Sequence, residues 1–305
     1  MKIAFLYPGQ GSQHAGMGAE LMQDDEIAQL GEKCSSFAGV DLRHLLTTAT
    51  DDELRLTQNA QPALTFMGIG LTLLLRRAGH RAEAAAGHSV GEYGALAAAS
   101  SVEPQRVVKA VLERGKAMAE AAPAGTSSMS AVLGLDAQAV EVALTGMNDA
   151  WPANYNTPTQ TVVAGTTAGL EAATTRLQTA GAKRVIPLNV SAAFHTPLMA
   201  PAAERLRAEL DRIEWRAPRM TVMANLTGRP HLDGDRIPHL LEMQLRSPVR
   251  WAACVQGLVE MGCDTFIEVG PKRALTGMMR ELAPSAKAIS VSAPAAIADL
   301  AGLIQ

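Results

Sequence analysis

The residue best suited to chemistry in this sequence is a serine at the centre of a short glycine-flanked motif. Gly87–Gly91 reads G-H-S-V-G and lies between an apolar run, Ala84–Ala86, and a helical stretch, Glu92–Ala99. A G-x-S-x-G motif between strand and helix is typical of a nucleophile elbow, where glycines relieve a tight turn and Ser89 is exposed. The N–H groups that begin the helix can bind a negative oxygen there. The alternative is an ordinary glycine-rich turn, and five residues do not decide between the two.

A serine hydroxyl needs a base to remove its proton, and histidine is the usual one because its pKa lies near neutrality. His195 lies in the segment Ser191–Met199, S-A-A-F-H-T-P-L-M, which we interpret as a strand-to-helix connection beside a second domain. Loops that face a cleft between domains often carry catalytic side chains. A purely structural hydrogen bond is the alternative role for His195. His88 is expected to point away from Ser89 and to pack or form hydrogen bonds.

Arg114 is the second informative residue, because it lies on an otherwise apolar side of a predicted helix and is followed by Gly115. A guanidinium can bind a carboxylate through two parallel hydrogen bonds, which lysine cannot do. The alternative is an ion pair with a nearby acid on the helix surface.

The elements that must position these residues alternate between strands and helices in the first part of the chain. A β-rich segment at residues 2–8 precedes the glycine loop Gly9–Gln13, Pro62 is expected to open a buried helix over 63–75, and Pro104–Ala121 has a helical apolar pattern. Repeated strand-helix order predicts an α/β domain with a parallel sheet covered by helices.

The pattern changes after the breaker-rich stretch 123–128. The next segment predicts the order strand, helix, strand, strand, helix, strand, which is the βαββαβ order of a ferredoxin-like unit. We therefore predict a large catalytic α/β domain formed by residues 1–125 and 192–305, with residues 126–191 as an inserted ferredoxin-like subdomain. The predicted elements are strand 130–135, helix 136–147, strands 151–156 and 160–164, helix 167–180 and strand 184–190, followed in the large domain by helix 197–213, strand 220–224, helices 238–244 and 251–261, and strand 265–269.

Composition excludes several functional classes. The chain has 305 residues, 48% of them hydrophobic, with a net charge of -3 and a pI near 6.2. This charge argues against nucleic acid as a partner. The longest apolar stretch, Leu64–Leu75, is too short for a membrane span, and no secretory signal is evident, so a soluble cytoplasmic protein is expected. The three cysteines have no disulfide or metal spacing, and we expect free buried thiols and no metal site.

Taken together, these motifs resemble the malonyl-CoA:acyl carrier protein transacylases, stand-alone acyltransferases of fatty acid or polyketide synthesis. The resemblance extends almost from end to end and is too ordered for a protein that shares only the elbow. The segments that carry it are 7–13 (Y-P-G-Q-G-S-Q), 61–64 (Q-P-A-L), 87–93 (G-H-S-V-G-E-Y), 114–118 (R-G-K-A-M), 131–134 (A-V-L-G), 154–158 (N-Y-N-T-P), 194–195 (F-H), 244–245 (Q-L), 248–251 (P-V-R-W) and 268–271 (E-V-G-P).

The resemblance implies a hydrolase-like α/β domain with an inserted ferredoxin-like subdomain and a ping-pong reaction. Malonyl would pass from malonyl-CoA to Ser89 and then to the phosphopantetheine thiol of an acyl carrier protein. His195 would be the base, oriented through its second ring nitrogen by a main-chain carbonyl near Gln244, so that no triad acid is needed. It further implies no permanently bound cofactor, with the coenzyme A thioester as substrate. The oxyanion hole would be the backbone N–H groups of Gln10 and Val90, and Arg114 would bind the malonyl carboxylate.

The resemblance also bears on substrate choice and leaves alternatives open. Relatives that accept methylmalonyl commonly have a polar residue after the nucleophile and a smaller one before the histidine, whereas this chain has Val90 and Phe194. We therefore expect malonyl to be preferred. Lys272 and Arg273 follow Gly270-Pro271 where the family usually has glycine and lysine. The alternatives are a serine esterase or thioesterase, the malonyl-loading subunit of a malonate decarboxylase, and a non-catalytic docking subunit.

Overall fold

A computed structural model describes residues 1–121, 123, 125–190 and 192–302. Its strands form two separate sheets, and helices cover the larger one. The strands are β1 (Ile3–Tyr7), β2 (Ala84–Gly87), β3 (Ser127–Leu133), β4 (Ala150–Thr157), β5 (Gln160–Thr166), β6 (Arg184–Pro187), β7 (Thr221–Ala224), β8 (Arg229–Pro230), β9 (Thr265–Val269) and β10 (Lys287–Val291). The helices are α1 (Asp25–Ala38), α2 (Leu42–Thr47), α3 (Asp51–Arg55), α4 (Thr57–Arg77), α5 (Gly91–Ala98), α6 (Pro104–Ala121), α7 (Ala137–Ala143), α8 (Thr167–Thr179), α9 (Ala200–Leu210), α10 (Ile237–Leu245), α11 (Trp251–Glu260), α12 (Ala274–Leu282) and α13 (Ala295–Ala298).

The larger sheet has the strand order β10-β9-β1-β2-β7-β8, and every pair is parallel except β7 with β8. All five residues of β1 are buried, as expected for a central strand covered by helices on both faces. Tyr7 at the end of β1 pairs with Gly87 at the end of β2, so the loops that leave these two strands begin side by side. The predicted α/β fold class is confirmed.

The smaller sheet is antiparallel, with the order β4-β5-β3-β6 and with α7 and α8 in the two crossover connections. This is the βαββαβ arrangement expected from the sequence. Its core is apolar and contains Val132, Val140 and Leu177. The boundaries that we drew at 125/126 and 191/192 stay a prediction, and Ser191 lies outside the described residues.

Hydrogen bonds to Val249 and to Glu281 are among the contacts that join the smaller sheet to the larger layer. The backbone of Val249 exchanges hydrogen bonds with β4, from Tyr155 N to Val249 O and from Val249 N to Ala153 O, both at 2.9 Å. The Glu281 carboxylate on α12 accepts hydrogen bonds from the hydroxyls of Thr157 and Thr159 at 2.9 and 2.8 Å. The β4 edge is therefore fixed next to the large sheet.

The prediction that Pro62 opens its helix is wrong. α4 begins at Thr57, and Pro62 lies inside it. The added turn is held by packing rather than by local propensity: a Cβ on Gly115 of α6 would lie 2.7 Å from Gln58 Cα and 2.8 Å from Thr57 O, so the two backbones touch. The turn before the proline, where a helix start would otherwise be expected, is thus packed directly against α6.

Several other boundaries differ from the prediction. The helix expected over 136–147 ends at Ala143, and a turn follows in which Gly146 has a φ of 78°. The helix expected over 197–213 divides into a short 3-10 turn, Pro197–Met199, and α9. Seven elements were not expected from the sequence pattern: α1, α2, α3, α12, α13, β8 and β10.

The three cysteines, Cys34, Cys254 and Cys263, are free and buried, as expected. Within the part of the chain that the structure describes, no helix combines the length and the apolar character that crossing a bilayer requires.

Candidate active site

Ser89 occupies a sharp turn between β2 and α5 that only glycine can flank. A Cβ on Gly87 would lie 1.9 Å from Gly91 C, and one on Gly91 would lie 2.1 Å from Tyr7 O. Ser89 has a φ of 54°, an unfavourable conformation for a residue with a side chain. Asn225, directly after β7, stabilises the turn: its Oδ1 accepts from Ser89 N and its Nδ2 donates to Gly87 O, both at 2.7 Å. The geometry is that of a nucleophile elbow.

His195 lies within hydrogen-bond distance of this serine. Its Nε2 is 2.7 Å from Ser89 Oγ, and its Nδ1 is 2.9 Å from the main-chain oxygen of Gln244 at the end of α10. Because a carbonyl only accepts, Nδ1 carries the proton and Nε2 is left to accept one from the serine. The carbonyl thus occupies the place that a carboxylate has in a triad.

Burial keeps His195 neutral. Desolvation and, second, the positive charge of Arg114 lower the pKa of His195 to about 3, while the hydrogen bond to the Gln244 carbonyl opposes the shift. The imidazole is only 4% exposed. At neutral pH it is therefore unprotonated and able to accept a proton.

Arg114, on α6, is completely buried and points at the same hydroxyl. Its Nη2 donates to Ser89 Oγ at 3.1 Å and to Gln244 Oε1 at 3.2 Å, and its Nη1 donates to Gln61 Oε1 at 2.8 Å. Among the described residues it has no carboxylate partner, so the alternative of a surface ion pair is wrong. Burial lowers the pKa of Arg114, and the nearby Tyr93 and Glu92 oppose this shift.

The two backbone N–H groups expected to form an oxyanion hole have no partner among the described residues. Neither Gln10 N nor Val90 N donates a hydrogen bond to any of the residues that the structure describes. Val90 directly precedes α5, and the loop that contains Gln10 is held against the elbow by the hydrogen bond from His88 N to Tyr7 O at 2.9 Å. Unpaired N–H groups can bind a developing oxyanion where they face the nucleophile, so Gln10 and Val90 stay the predicted oxyanion hole.

Val90 and Phe194 are next to the reactive pair in sequence and are 1% and 6% exposed. His88 points elsewhere: its Nε2 lies 2.9 Å from Asn156 Oδ1 of β4, and its ring centroid lies 5.5 Å from that of Trp251. Burial lowers the pKa of His88. His88 therefore forms hydrogen bonds and packs, as expected.

Comparison with known proteins agrees with this geometry. Residues 4–304 match the family described as acyl transferase domain. The chain belongs to the acyl transferase family. It is 39% identical over 301 residues to the malonyl CoA-acyl carrier protein transacylase of Bacillus subtilis, covering 97% of this chain and 95% of that protein. The resemblance found in the sequence is confirmed.

Solved structures of the family superimpose closely on the chain. A crystal structure of MCAT from Streptococcus pneumoniae matches with a TM-score of 0.94 at 34% identity, covering 99% of this chain and 100% of that one. A malonyl-transacylase solved in complex with its type II PKS acyl-carrier protein matches with a TM-score of 0.92 at 34% identity, covering 98% of both chains.

Four buried polar residues behind the site had no role assigned from the sequence: Glu92, Asn225, His231 and Gln61. Glu92 accepts hydrogen bonds from Asn225 N at 2.9 Å, from Gln244 Nε2 at 2.8 Å and from His231 Nε2 at 2.7 Å. Gln61 is the fourth, as the acceptor for Arg114. The available signal was a polar residue within an apolar run, because Gln61 and Glu92 both lie in helices that are otherwise mostly apolar.

The arrangement can support covalent acyl transfer. It combines a serine within hydrogen-bond distance of a neutral histidine, two free N–H groups and a buried cation. Among the described residues, no cluster of three or more His, Cys, Asp or Glu side chains could hold a metal ion.

Proposed function

We propose that the protein transfers a malonyl group from malonyl-CoA, through an ester on Ser89, to the phosphopantetheine thiol of an acyl carrier protein. The observation that carries the proposal is the buried Arg114 guanidinium, which lies 3.1 Å from the serine hydroxyl without a carboxylate partner among the described residues. An acyl group with its own carboxylate supplies that partner. The similarity of the chain to malonyl CoA-acyl carrier protein transacylases supports this substrate.

In the first half-reaction, Ser89 Oγ attacks the thioester carbonyl while His195 Nε2 takes the hydroxyl proton. The carbonyl oxygen becomes an oxyanion, and the N–H groups of Gln10 and Val90 stabilise it. The tetrahedral intermediate collapses with cleavage of the carbon–sulfur bond, and the imidazolium returns its proton to the departing coenzyme A thiolate. The product is a malonyl ester on Ser89.

The second half-reaction repeats these steps in reverse with a new thiol. His195 removes the proton of the phosphopantetheine thiol, the sulfur attacks the ester, and Ser89 leaves with the proton. One thioester is exchanged for another, so the equilibrium is nearly balanced. The same groups must therefore serve both directions and disfavour water as the acceptor.

Arg114 has two roles in this proposal. Its guanidinium binds the malonyl carboxylate through charge-assisted hydrogen bonds, for which Gln61 and Gln244 orient it. The arriving carboxylate also offsets the charge that lowers the pKa of His195, since Arg114 is the second cause of that shift. Binding of the correct acyl group thus makes the base stronger.

Val90 and Phe194 are the proposed selectivity residues. Both side chains are buried, and the two residues are adjacent in sequence to Ser89 and His195. In the proposal they crowd the α-carbon of the acyl group. Excluding one methyl group is worth roughly 1–3 kcal/mol. We expect Ser89 to be acylated faster by malonyl-CoA than by methylmalonyl-CoA, by the ratio of rates that this free energy corresponds to.

The protein is proposed to act in the cytoplasm without a permanently bound cofactor, with coenzyme A thioesters as substrates. Its three free, buried thiols fit a reducing compartment. The carrier can belong to fatty acid or polyketide synthesis. A loading subunit of a malonate decarboxylase needs the same chemistry, whereas an esterase or thioesterase gives the acyl group to water.

The deciding experiment is an intact-mass measurement after mixing the protein with malonyl-CoA. We expect the mass of one malonyl group to be added to the native protein and none to a Ser89→Ala variant. The added mass should pass to a phosphopantetheinylated carrier protein that is supplied in excess. An absence of the adduct in the native protein contradicts the proposal. Release of free malonate as fast as carrier loading favours a hydrolase.

A further inference from the structure

Glu92 is a buried carboxylate that the proposed reaction does not use. It lies in the first turn of α5, three residues after Ser89, and is 1% exposed. Among the described residues, neither of its oxygens contacts an arginine or a lysine, and the neighbouring titratable group is His231, whose Nε2 lies 2.7 Å away. Burying a carboxylate without such a cation is costly, so a position that only required packing would favour an apolar residue.

We propose that Glu92 is a positioning residue that holds the nucleophile and the carboxylate-binding arginine in one arrangement, through Asn225 and Gln244. The inference rests on the proposed function for the roles of Ser89 and Arg114. Glu92 itself touches neither the reacting atoms nor the expected substrate.

The first connection runs through Asn225 to the elbow. Glu92 Oε2 accepts from the backbone N–H of Asn225 at 2.9 Å. The Asn225 side chain in turn bonds to Ser89 N and to Gly87 O, on both sides of the strained turn. Glu92 therefore fixes the residue that holds Ser89 at its positive φ.

The second connection runs through the Gln244 amide to Arg114. The Gln244 Nε2 group donates to Glu92 Oε2 at 2.8 Å and to Ser89 O at 3.1 Å. With the NH2 group facing these acceptors, the amide oxygen must face the other way, where it accepts from Arg114 Nη2 at 3.2 Å. A rotated amide would point donors at the guanidinium, so Glu92 determines the orientation that Arg114 requires.

The same glutamine also carries the main-chain oxygen that orients His195. One carboxylate is thus connected by two hydrogen-bond paths to all three groups of the proposed mechanism. Its negative charge also counters the burial that lowers the pKa of Arg114. Buried networks of this kind act as a unit, because each member fixes the donor and acceptor directions of the next.

Glu268 provides a matched control within the same fold. It is also 1% exposed, lies on β9 of the same sheet, and accepts three hydrogen bonds, from Leu275 N at 3.0 Å, Thr276 N at 2.7 Å and the Thr276 hydroxyl. These donors begin α12, and none of them contacts Ser89, Arg114 or Gln244. Its role is to cap a helix.

The experiment compares Glu92→Gln and Glu92→Leu with Glu268→Gln and Glu268→Leu in two assays below their melting temperatures. Modification by an uncharged alkyl fluorophosphonate reports on Ser89 and His195. The ratio of malonyl to acetyl acylation rates reports on Arg114. For Glu92→Leu we expect both values to fall about 100-fold, as for a catalytic group displaced by about 1 Å. Glu92→Gln keeps the size and most hydrogen bonds of the side chain, and we expect the modification rate and the acylation ratio to fall about tenfold.

The Glu268 variants are expected to lose stability and to keep both values within about twofold of the native protein, because only a helix cap is lost. If Glu92→Leu does not fold, two variants of His231 test the network instead. His231→Gln keeps a donor to Glu92, and its modification rate and acylation ratio should stay near the native values. His231→Leu should lower both the modification rate and the acylation ratio several-fold. The inference is overturned if the Glu92 variants lose stability but keep the native modification rate and acylation ratio. It is also overturned if only one of these two quantities falls. A native protein without preference for malonyl over acetyl would instead overturn the proposed function.

Discussion

The elbow end of the large sheet and the interior of the small sheet differ in buried charge and in backbone strain. Around Ser89 the fold buries an arginine and a glutamate and holds two residues, Ser89 and His195, at φ values of 54° and 61°. The core of the small sheet is formed by apolar side chains, and across 127–187 the described residues other than glycine have negative φ. Of these two regions, the elbow therefore contains the strained non-glycine residues and the buried charges, whereas the small sheet is packed regularly.

The two regions meet along β4, where Asn156 contacts His88 and the Val249 backbone pairs with the strand. The small sheet therefore supports the elbow from outside without adding a reacting group. If this division is correct, substitutions near Ser89 should change rate far more than stability, and substitutions inside the small sheet should do the reverse.

The largest expected effect is for His195→Ala. Without a base the serine hydroxyl keeps its proton, and we expect the rate of Ser89 acylation by malonyl-CoA to fall by about four orders of magnitude or more. Stopped-flow or rapid-quench mass spectrometry measures the rate, and thermal unfolding serves as the control. Loss of a general base lowers the rate by more than about tenfold, so a smaller loss would show that His195 is not the general base.

The second-largest effect on the acylation rate is expected for Arg114→Met. Malonyl acylation is expected to fall about 100-fold or more, since truncating one partner of a buried charged pair costs roughly 2–5 kcal/mol. Acetyl acylation, which offers no carboxylate, should persist or rise. The two rates are compared on the same preparation, and an equal fall in both would show that Arg114 does not bind the carboxylate.

Phe194→Ala should relax substrate choice. Opening space beside the α-carbon is expected to raise the methylmalonyl-to-malonyl ratio of acylation rates about 10- to 100-fold, in line with roughly 1–3 kcal/mol for one methyl group. Competition between the two coenzyme A esters, read by intact mass, gives the ratio. Native protein that is acylated comparably by both esters would contradict the proposed pocket.

The pH dependence should be unusually flat on the acid side. Because burial and Arg114 lower the pKa of His195 to about 3, the imidazole stays neutral, and the acylation rate should change less than about twofold between pH 8 and pH 5. A histidine at its ordinary pKa would lose roughly 30-fold over that range. In Arg114→Met the acid limb should move to higher pH, since removing the positive charge raises the pKa of His195.

The smallest effect on rate is expected for Leu177→Ala, in the apolar core of the small sheet. Loss of this side chain, which is 1% exposed, should lower the free energy of unfolding by about 2–5 kcal/mol. The acylation rate per folded molecule should stay within about twofold of the native value, because packing is the only role of this residue. Denaturant unfolding and acylation are measured in parallel. A large loss of rate at full folding would contradict the division between the regions.

Much of the fold could be predicted from local pattern. The G-H-S-V-G motif between an apolar run and a helix, and the βαββαβ order of the inserted segment, depend on steric and periodic properties that neighbouring residues carry themselves. The start of α4 could not be predicted, because the turn before Pro62 is stabilised by the approach of Gly115 from a helix far along the chain.

The sequence by itself determined the reacting types: a serine at a forced turn, a histidine in a connecting segment and an arginine on an apolar face. Only the tertiary structure decided that Arg114 is buried without a carboxylate partner among the described residues and that Glu92 links Asn225 to Gln244. The Gln244 carbonyl that orients His195 was expected from the resemblance, and its distance comes from the structure. Hydrogen-bond direction and desolvation depend on groups from several distant elements that meet in one place. Motifs record which side chains are present, whereas packing decides which charges and donors remain available.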